Sequence, residues 1–398
     1  MKTVKAAPVP PGGRSIIRYF LVIFLVCTLA GCATSRSFVP GAVAGWDLTV
    51  APDHGASALP GATLPCGFPG HGRSRHPASC PVAVNVRIPA TRNPHTPASK
   101  LPGLHPDQLV ADYGFPSNAL GMTVAIVDAF DNRRVEADLN RYRAEFGLGE
   151  CTTANGCFRK VNQRGGAGRY PHANRAWSQE IALDVEMVSA VCPRCPILLV
   201  EADSPAMDDL GASVDTAVSL GARVVSNSYY ATEWAGETTE DVHYNHPGVA
   251  MTVSSGDEAA AYYPAASPHV TSVGGLTVSQ EGSSSSEAGW RFSGRGCSQY
   301  ESRPAFQPAV CPTRSAVDMA VVGDPQTGVT IFSTQSGGWV VAGGTSVGAP
   351  VIAAAYALSG HPVGPGFSYA HPRDFREVGA SGFDLATGLG SPSGVAGL

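Results

Sequence analysis

Ser346 stands in the octet Gly343-Gly344-Thr345-Ser346-Val347-Gly348-Ala349-Pro350. An apolar run precedes the octet, and a second one, residues 351–358, follows it. The serine is therefore expected where a strand end meets a buried helix, whose first turn tolerates Pro350. Backbone N–H groups and the helix dipole favour negative charge there, which suits an attacking oxygen and a neighbouring oxyanion. An ordinary glycine-rich turn would read the same way, so the choice rests on partner residues. Glu180 and Asp184 are spaced four apart in Trp177-Ser178-Gln179-Glu180-Ile181-Ala182-Leu183-Asp184-Val185-Glu186-Met187 and can share a helix face. Ile181, Leu183, Val185, Met187 and Val188 pack around that face, so at least one carboxylate is poorly solvated. Two such acids hold a shared proton, and one pKa rises. A glutamate so placed can take a proton from a serine hydroxyl in acid, where histidine is already protonated. The competing reading is a solvated acidic helix face. A third element, Ser254-Ser255-Gly256-Asp257, follows an apolar strand. Its aspartate is either a turn former or, kept neutral in an acid site, a hydrogen-bond donor to an oxyanion.

Positioning these groups requires a sheet with helices around it. From residue 108 onward, short apolar runs alternate with helical patterns. Strands are expected at residues 123–127, 196–200, 223–226, 249–253 and 269–273, with helices at 133–146, 178–190 and 208–220. That alternation predicts an α/β fold: a mostly parallel, doubly wound sheet with helices on both faces. Functional groups in such folds gather at the carboxyl ends of the strands.

Eleven histidines are present, yet none stands in the His-Gly-Thr-His setting used by subtilisins. Asp128, in Ile126-Val127-Asp128-Ala129-Phe130-Asp131, resembles the strand-end aspartate of those enzymes, but it has no histidine to complete a triad. The ordered set Glu180-x-x-x-Asp184, Ser255-Gly256-Asp257, Tyr263-Pro264-Ala265-Ala266-Ser267, Val273-Gly274-Gly275 and Gly344-Thr345-Ser346 with Pro350 resembles the sedolisin family. These are serine-carboxyl peptidases of subtilisin-like fold, and the likeness spans residues 108–398.

The resemblance implies that Ser346 is the nucleophile, Glu180 the general base, Asp184 the residue orienting it and Asp257 the oxyanion donor. It further implies that Asp128 is a second acid linked to the base. Ser226 and Ser228, in Ser226-Asn227-Ser228-Tyr229, would lie on a strand that binds substrate backbone by β-augmentation. The implied activity is an endopeptidase with a polypeptide substrate, most active in acid. A calcium site is also implied near the C-terminus, where Glu377, Val378, Ala380, Gly382 and Asp384 offer the hard oxygen ligands that Ca2+ takes. Its usual intervening loop is missing here. Tyr230 occupies a place where glycine is common, which would narrow the cleft, and residues 33–107 read as too short and irregular for the large folded pro-domain the family usually carries. These two departures favour the alternative, a catalytically weak or inactive peptidase-fold binding protein. They also leave open how activity is restrained.

The remaining chain bounds the setting. Lys2, Lys5, Arg14 and Arg18 precede an apolar run, residues 19–30, of signal-peptide length. Leu29-Ala30-Gly31-Cys32 resembles a lipobox. Residues 1–31 therefore read as a lipoprotein-type signal, with a membrane anchor at Cys32 of an otherwise monomeric exported protein; plain secretion is the alternative. Residues 32–107 are rich in proline, glycine and serine and read as a tether or short, poorly ordered leader. Without the four leader cations the net charge of −5 becomes about −9, which gives nucleic-acid binding no support. Setting Cys27 and Cys32 aside, the cysteines fall into local pairs: Cys66/Cys80, Cys151/Cys157, Cys192/Cys195 and Cys297/Cys311. Export predicts disulfides. The Cys192-Pro193-Arg194-Cys195 spacing also fits a redox or zinc motif, but no second pair of matching spacing supports zinc.

Overall fold

Unbroken apolar runs build the centre of the molecule. In the computed structural model the described residues are 76–80, 82–87, 100–117, 119–281, 284–379 and 381–398, all within one unit spanning residues 55–398. The expected signal, Cys32 and Cys66 lie outside them. Strand β1 (Ala83–Arg87) is followed by helix α1 (Pro106–Tyr113), strand β2 (Val124–Ala129) and helix α2 (Val135–Phe146). Strand β3 (Phe158–Asn162), helix α3 (Arg175–Val191), strand β4 (Ile197–Ala202), helix α4 (Met207–Ser219) and strand β5 (Val224–Asn227) come next. Strands β6 (Ala250–Ser254), β7 (Thr271–Glu281), β8 (Ser284–Gly289), β9 (Met319–Val322), β10 (Val329–Ser333) and β11 (Gly338–Gly343) precede helix α5 (Gly348–Ser359).

The main sheet has eight strands in the order β8-β7-β6-β5-β2-β4-β3, with β9 joined to β7. Neighbours run parallel except in the β7–β8 hairpin. Every residue of β2, β4, β5 and β6 is buried, as expected of parallel strands covered on both faces. Helices α3 and α5 pack on each other and on β2, with α2 against α3, while α4 covers β2 and β4. The fold is thus the expected doubly wound α/β sheet, with element boundaries shifted by a few residues. A second, antiparallel sheet joins β1, β11 and β10. Its strand β1 comes from the stretch expected to be irregular leader, so residues 83–87 belong to the folded domain.

Three of the expected disulfides are present: Cys151–Cys157, Cys192–Cys195 and Cys297–Cys311. Cys80 is disulfide-bonded as well. Cys192 and Cys195 are both buried, which leaves no exposed thiol pair for exchange.

Candidate active site

Helix α3 begins where the Asn174 side chain accepts the Ala176 and Trp177 N–H groups, an N-cap that fixes its start. From Trp177 to Val191 every side chain is buried, so the acidic face is not solvated. Glu180 and Asp184 are fully buried, and Asp128 at the end of β2 is buried beside them. Both carboxyl oxygens of Glu180, both of Asp128 and Oδ2 of Asp184 lack a hydrogen-bond partner. Burial raises the Glu180 pKa well above its ordinary value, and Asp128 adds to the rise. The Ser346 hydroxyl and the Val82 backbone N–H oppose it, so both lie against Glu180 although neither meets ordinary bond geometry. Asp184 is raised by burial and then by Asp128 and Glu180; the Ser228 hydroxyl, donating to its Oδ1 at 3.0 Å, pulls it back. Asp128 is raised by burial. The three carboxyls raise one another, so they titrate as a group and not singly.

Ser346 lies in a short turn, Thr345–Val347, between β11 and α5. Its residue is fully buried, and its Oγ has no hydrogen-bond partner. Gly344 enters that turn with φ of 111°, a conformation that side-chain-bearing residues rarely adopt. None of the described histidines bonds Ser346. His243 and His246 instead hold Asp215, at 2.7 and 3.1 Å.

Asp257 is tied to the same turn. Its Oδ1 accepts the Thr345 N–H and the Thr345 hydroxyl, each at 2.8 Å, while Gly256 N–H donates to Thr345 Oγ1 at 3.0 Å. Gly256 has φ of 100°, and a Cβ there would lie 2.5 Å from the Tyr262 ring. Burial lifts the Asp257 pKa from 3.8 to about 7 against the two Thr345 bonds. Oδ2 is left to carry a proton.

The structure therefore brings Ser346, Glu180, Asp184, Asp257 and Asp128 together. Ser226 does not serve as expected. It is paired with Ile126 on one side and Thr252 on the other inside the sheet, so its backbone cannot take a peptide. Ser228 contributes its hydroxyl to Asp184. The edge that accepts a strand lies further on, at Tyr230, whose ring packs at 4.6 Å from that of Tyr262. Thr345, Ser228 as a partner of Asp184, and Val82 are the contributors that the motifs did not single out. For Thr345 a signal existed, a second hydroxyl directly before the serine.

The residues expected to hold calcium are engaged with the chain itself. Glu377 Oε1 accepts the Gly382 N–H at 3.0 Å. Asp384 Oδ1 accepts the Ala386 and Thr387 N–H groups at 2.7 and 2.9 Å. The Thr387 hydroxyl lies 2.6 Å from Asp384 Oδ2 and 3.0 Å from the Val378 carbonyl. Ala380 lies outside the described residues. This is a hydrogen-bonded turn in which Glu377, Val378 and Asp384 already accept bonds from the chain itself. Among the described residues no cluster of three or more acidic, histidine or cysteine side chains could hold a metal.

No protein-family model and no curated protein matches the chain. Solved structures do. Pseudomonas sedolisin, a serine-carboxyl proteinase solved with two molecules of pseudo-iodotyrostatin, is 22% identical, with a TM-score of 0.63 over 73% of this chain and 96% of that one. The S41 psychrophilic protease is 17% identical, with a TM-score of 0.48 over 71% and 96%. MycP1 from the ESX-1 type VII secretion system is 18% identical, with a TM-score of 0.49 over 82% and 90%. The chain thus resembles sedolisin in the architecture of its sheet and helices, and its fold is a subtilisin-like α/β fold.

Proposed function

We propose that the protein is a serine-carboxyl endopeptidase that hydrolyses polypeptides in acid. The observation that carries this reading is the buried Ser346 hydroxyl against the Glu180 carboxyl, within an acid cluster that contains no histidine. Ser346 Oγ attacks the peptide carbonyl and its proton passes to Glu180, giving a tetrahedral oxyanion. Asp257, protonated on Oδ2, donates to that oxyanion. The C–N bond then breaks, the proton moves from Glu180 to the leaving amine, and water hydrolyses the acyl-enzyme by the same route. Asp184, held by Ser228, orients Glu180, and Asp128 keeps negative charge off the cluster by sharing its proton. The base must be ionised and the donor protonated, so activity lies between the acid cluster's lowest titration and about pH 7. No step runs through calcium.

Export fits this reading. The leader and the disulfides suit an oxidising compartment, and Cys32 is the proposed point of lipid attachment. Among the described residues no helix is long and apolar enough to cross a membrane. The test is hydrolysis of denatured protein between roughly pH 3 and 6. Wild type should cleave it; Ser346→Ala and Glu180→Gln should not. Full activity in either variant would overturn the assignment.

A further inference from the structure

Two neighbouring strands end beside Ser346 and then part. Strands β5 and β6 share a parallel ladder as far as Asn227 and Val253. Beyond it the chain continues as two walls, residues 228–230 and residues 255–258. Each wall is tied to the turn that carries Ser346. Ser228 Oγ lies 3.4 Å from the Ser346 carbonyl oxygen, and Asp257 Oδ1 accepts the Thr345 N–H at 2.8 Å. Ligands of open α/β sheets bind outside the carboxyl ends of the strands, which is where the slot between these walls lies. Its far end is closed by pairing of Ala231 with Tyr263 and of Thr232 with Tyr262.

Two phenol rings fill the slot. Tyr230 leaves the first wall, and its hydroxyl lies against the backbone N–H of Asp257 on the second. Its ring packs on that of Tyr262, with centroids 4.6 Å apart. The Tyr262 ring lies so near Gly256 that a Cβ there would be 2.5 Å from it, and its hydroxyl donates to Glu258 Oε2 at 3.0 Å. Each tyrosine is only 6% exposed. Packing this close leaves no room for another large group unless a ring is displaced. The position of a bound peptide follows from two fixed points. Its backbone pairs along the Tyr230 edge, and the carbonyl under attack faces Asp257 Oδ2 at about 3 Å. The Cβ of the residue that bears this carbonyl then lies within about 7 Å of Oδ2, at the mouth of the slot. Its strand neighbours point to the other side.

We propose that Tyr230 sets the side-chain preference of this site: it fills the slot beside the scissile carbonyl, so that cleavage follows glycine, alanine or serine and not large or basic residues. The proposal rests on the peptidase reading for the cleavage itself. A hydrogen, methyl or hydroxymethyl group stays at the mouth of the slot. A benzyl, isobutyl or lysyl group must push the Tyr230 ring off Tyr262 and Asp257. Discrimination by pocket size is steep, since one methylene alone is worth about 10–200-fold in a rate ratio. Glycine at residue 230 would leave the first wall without a ring and the slot open.

Cleavage and binding by the full chain test it. Sites cut in denatured casein, mapped by mass spectrometry, supply a peptide in which only the residue before the scissile bond is varied. For wild type, kcat/KM with alanine there should exceed that with phenylalanine, leucine or lysine at least about hundredfold. Tyr230→Gly should raise the phenylalanine-to-alanine ratio at least about hundredfold, and Tyr230→Ala, a second variant should glycine loosen the fold, at least about tenfold. Wild type that cuts after phenylalanine or lysine as well as after alanine overturns the proposal and leaves the peptidase reading standing. So does an unchanged ratio in a folded variant. Binding is read apart from turnover by calorimetry, with two peptide aldehydes that differ only in ending as alaninal or phenylalaninal. Wild type should bind the alaninal peptide at least about tenfold more tightly, and Tyr230→Gly should reverse the order. That pattern without cleavage of any peptide upholds the filled slot and sinks the peptidase reading instead. Equal binding of the two aldehydes by wild type overturns the filled slot.

Discussion

Asp257 should act as a proton donor below neutrality and as a repulsive anion above it. Its Oδ1 is saturated by the two Thr345 bonds, so only Oδ2 can present a proton to an oxyanion. Burial sets the pKa at about 7 in place of 3.8. Because the folded value is the higher one, the native state favours the protonated carboxyl. That contribution to stability is complete below the unfolded value, declines as pH rises above it, and is gone once pH passes about 7. A rise from 3.8 to about 7, at about 1.4 kcal/mol per tenfold in proton affinity, is about 4 kcal/mol of favour lost to alkali. The same titration should remove the oxyanion donor, and loss of one such donor lowers kcat by about 10²–10³. The basic limb of the kcat–pH profile should therefore have its midpoint near 7 and a depth of two to three decades.

Thr345→Val sharpens the case. It deletes the hydroxyl that favours the charged form of Asp257 and keeps the backbone bond, so the midpoint should move to higher pH. Asp257→Asn keeps a donor at the Oδ2 position and does not titrate, so the limb near 7 should disappear. Initial rates on a fluorogenic peptide from about pH 3 to about pH 9, with thermal melts at each pH to separate unfolding, supply the measurement. A basic limb that stays in place in both variants, or that moves down in Thr345→Val, would refute the donor role and the raised pKa behind it.

Three further outcomes are expected. Ser346→Ala and Glu180→Gln should each lower kcat by about four to six decades while leaving the melting temperature near that of wild type, measured by hydrolysis and calorimetry together. Asp318→Ala should unfold the protein more easily by about 3–5 kcal/mol in a denaturant titration. It would strand Arg314, which lies 2.6 Å from Asp318 with both side chains fully buried. Chelation with EDTA should leave the melting temperature unchanged, because the Glu377–Asp384 turn is closed by Gly382, Ala386 and Thr387 donors; a drop restored by Ca2+ would reverse that view.

The central strands were legible because parallel strands buried on both faces leave unbroken apolar runs, as in Val124-Ala125-Ile126-Val127 and Ile197-Leu198-Leu199-Val200. The ordered acids and serine were legible as residue types. Their environment was not. A helix bearing Glu180, Asp184 and Glu186 looks amphipathic, yet all three acids are buried. Glu186 is covered from a distance by β10, where Phe332 N–H donates to its Oε2 at 2.9 Å. Residues 82–87, Val-Ala-Val-Asn-Val-Arg, do alternate with a period of two, but the surrounding prolines argued against a strand. The partner β11 lies too far along the chain for any local pattern to reveal. Ser226 failed for a related reason: nothing in Ser226-Asn227-Ser228-Tyr229 says where the sheet ends and a usable edge begins. The same remoteness governs the chemistry. A carboxyl in water is a poor match for a serine proton, whereas one buried on α3, with Asp128 and Asp184 beside it, is a base whose strength is set by burial. Any change that lets water reach Glu180 should therefore weaken it as a base without altering a single catalytic residue, and buried Val82, whose backbone N–H lies against Glu180, is the residue standing there.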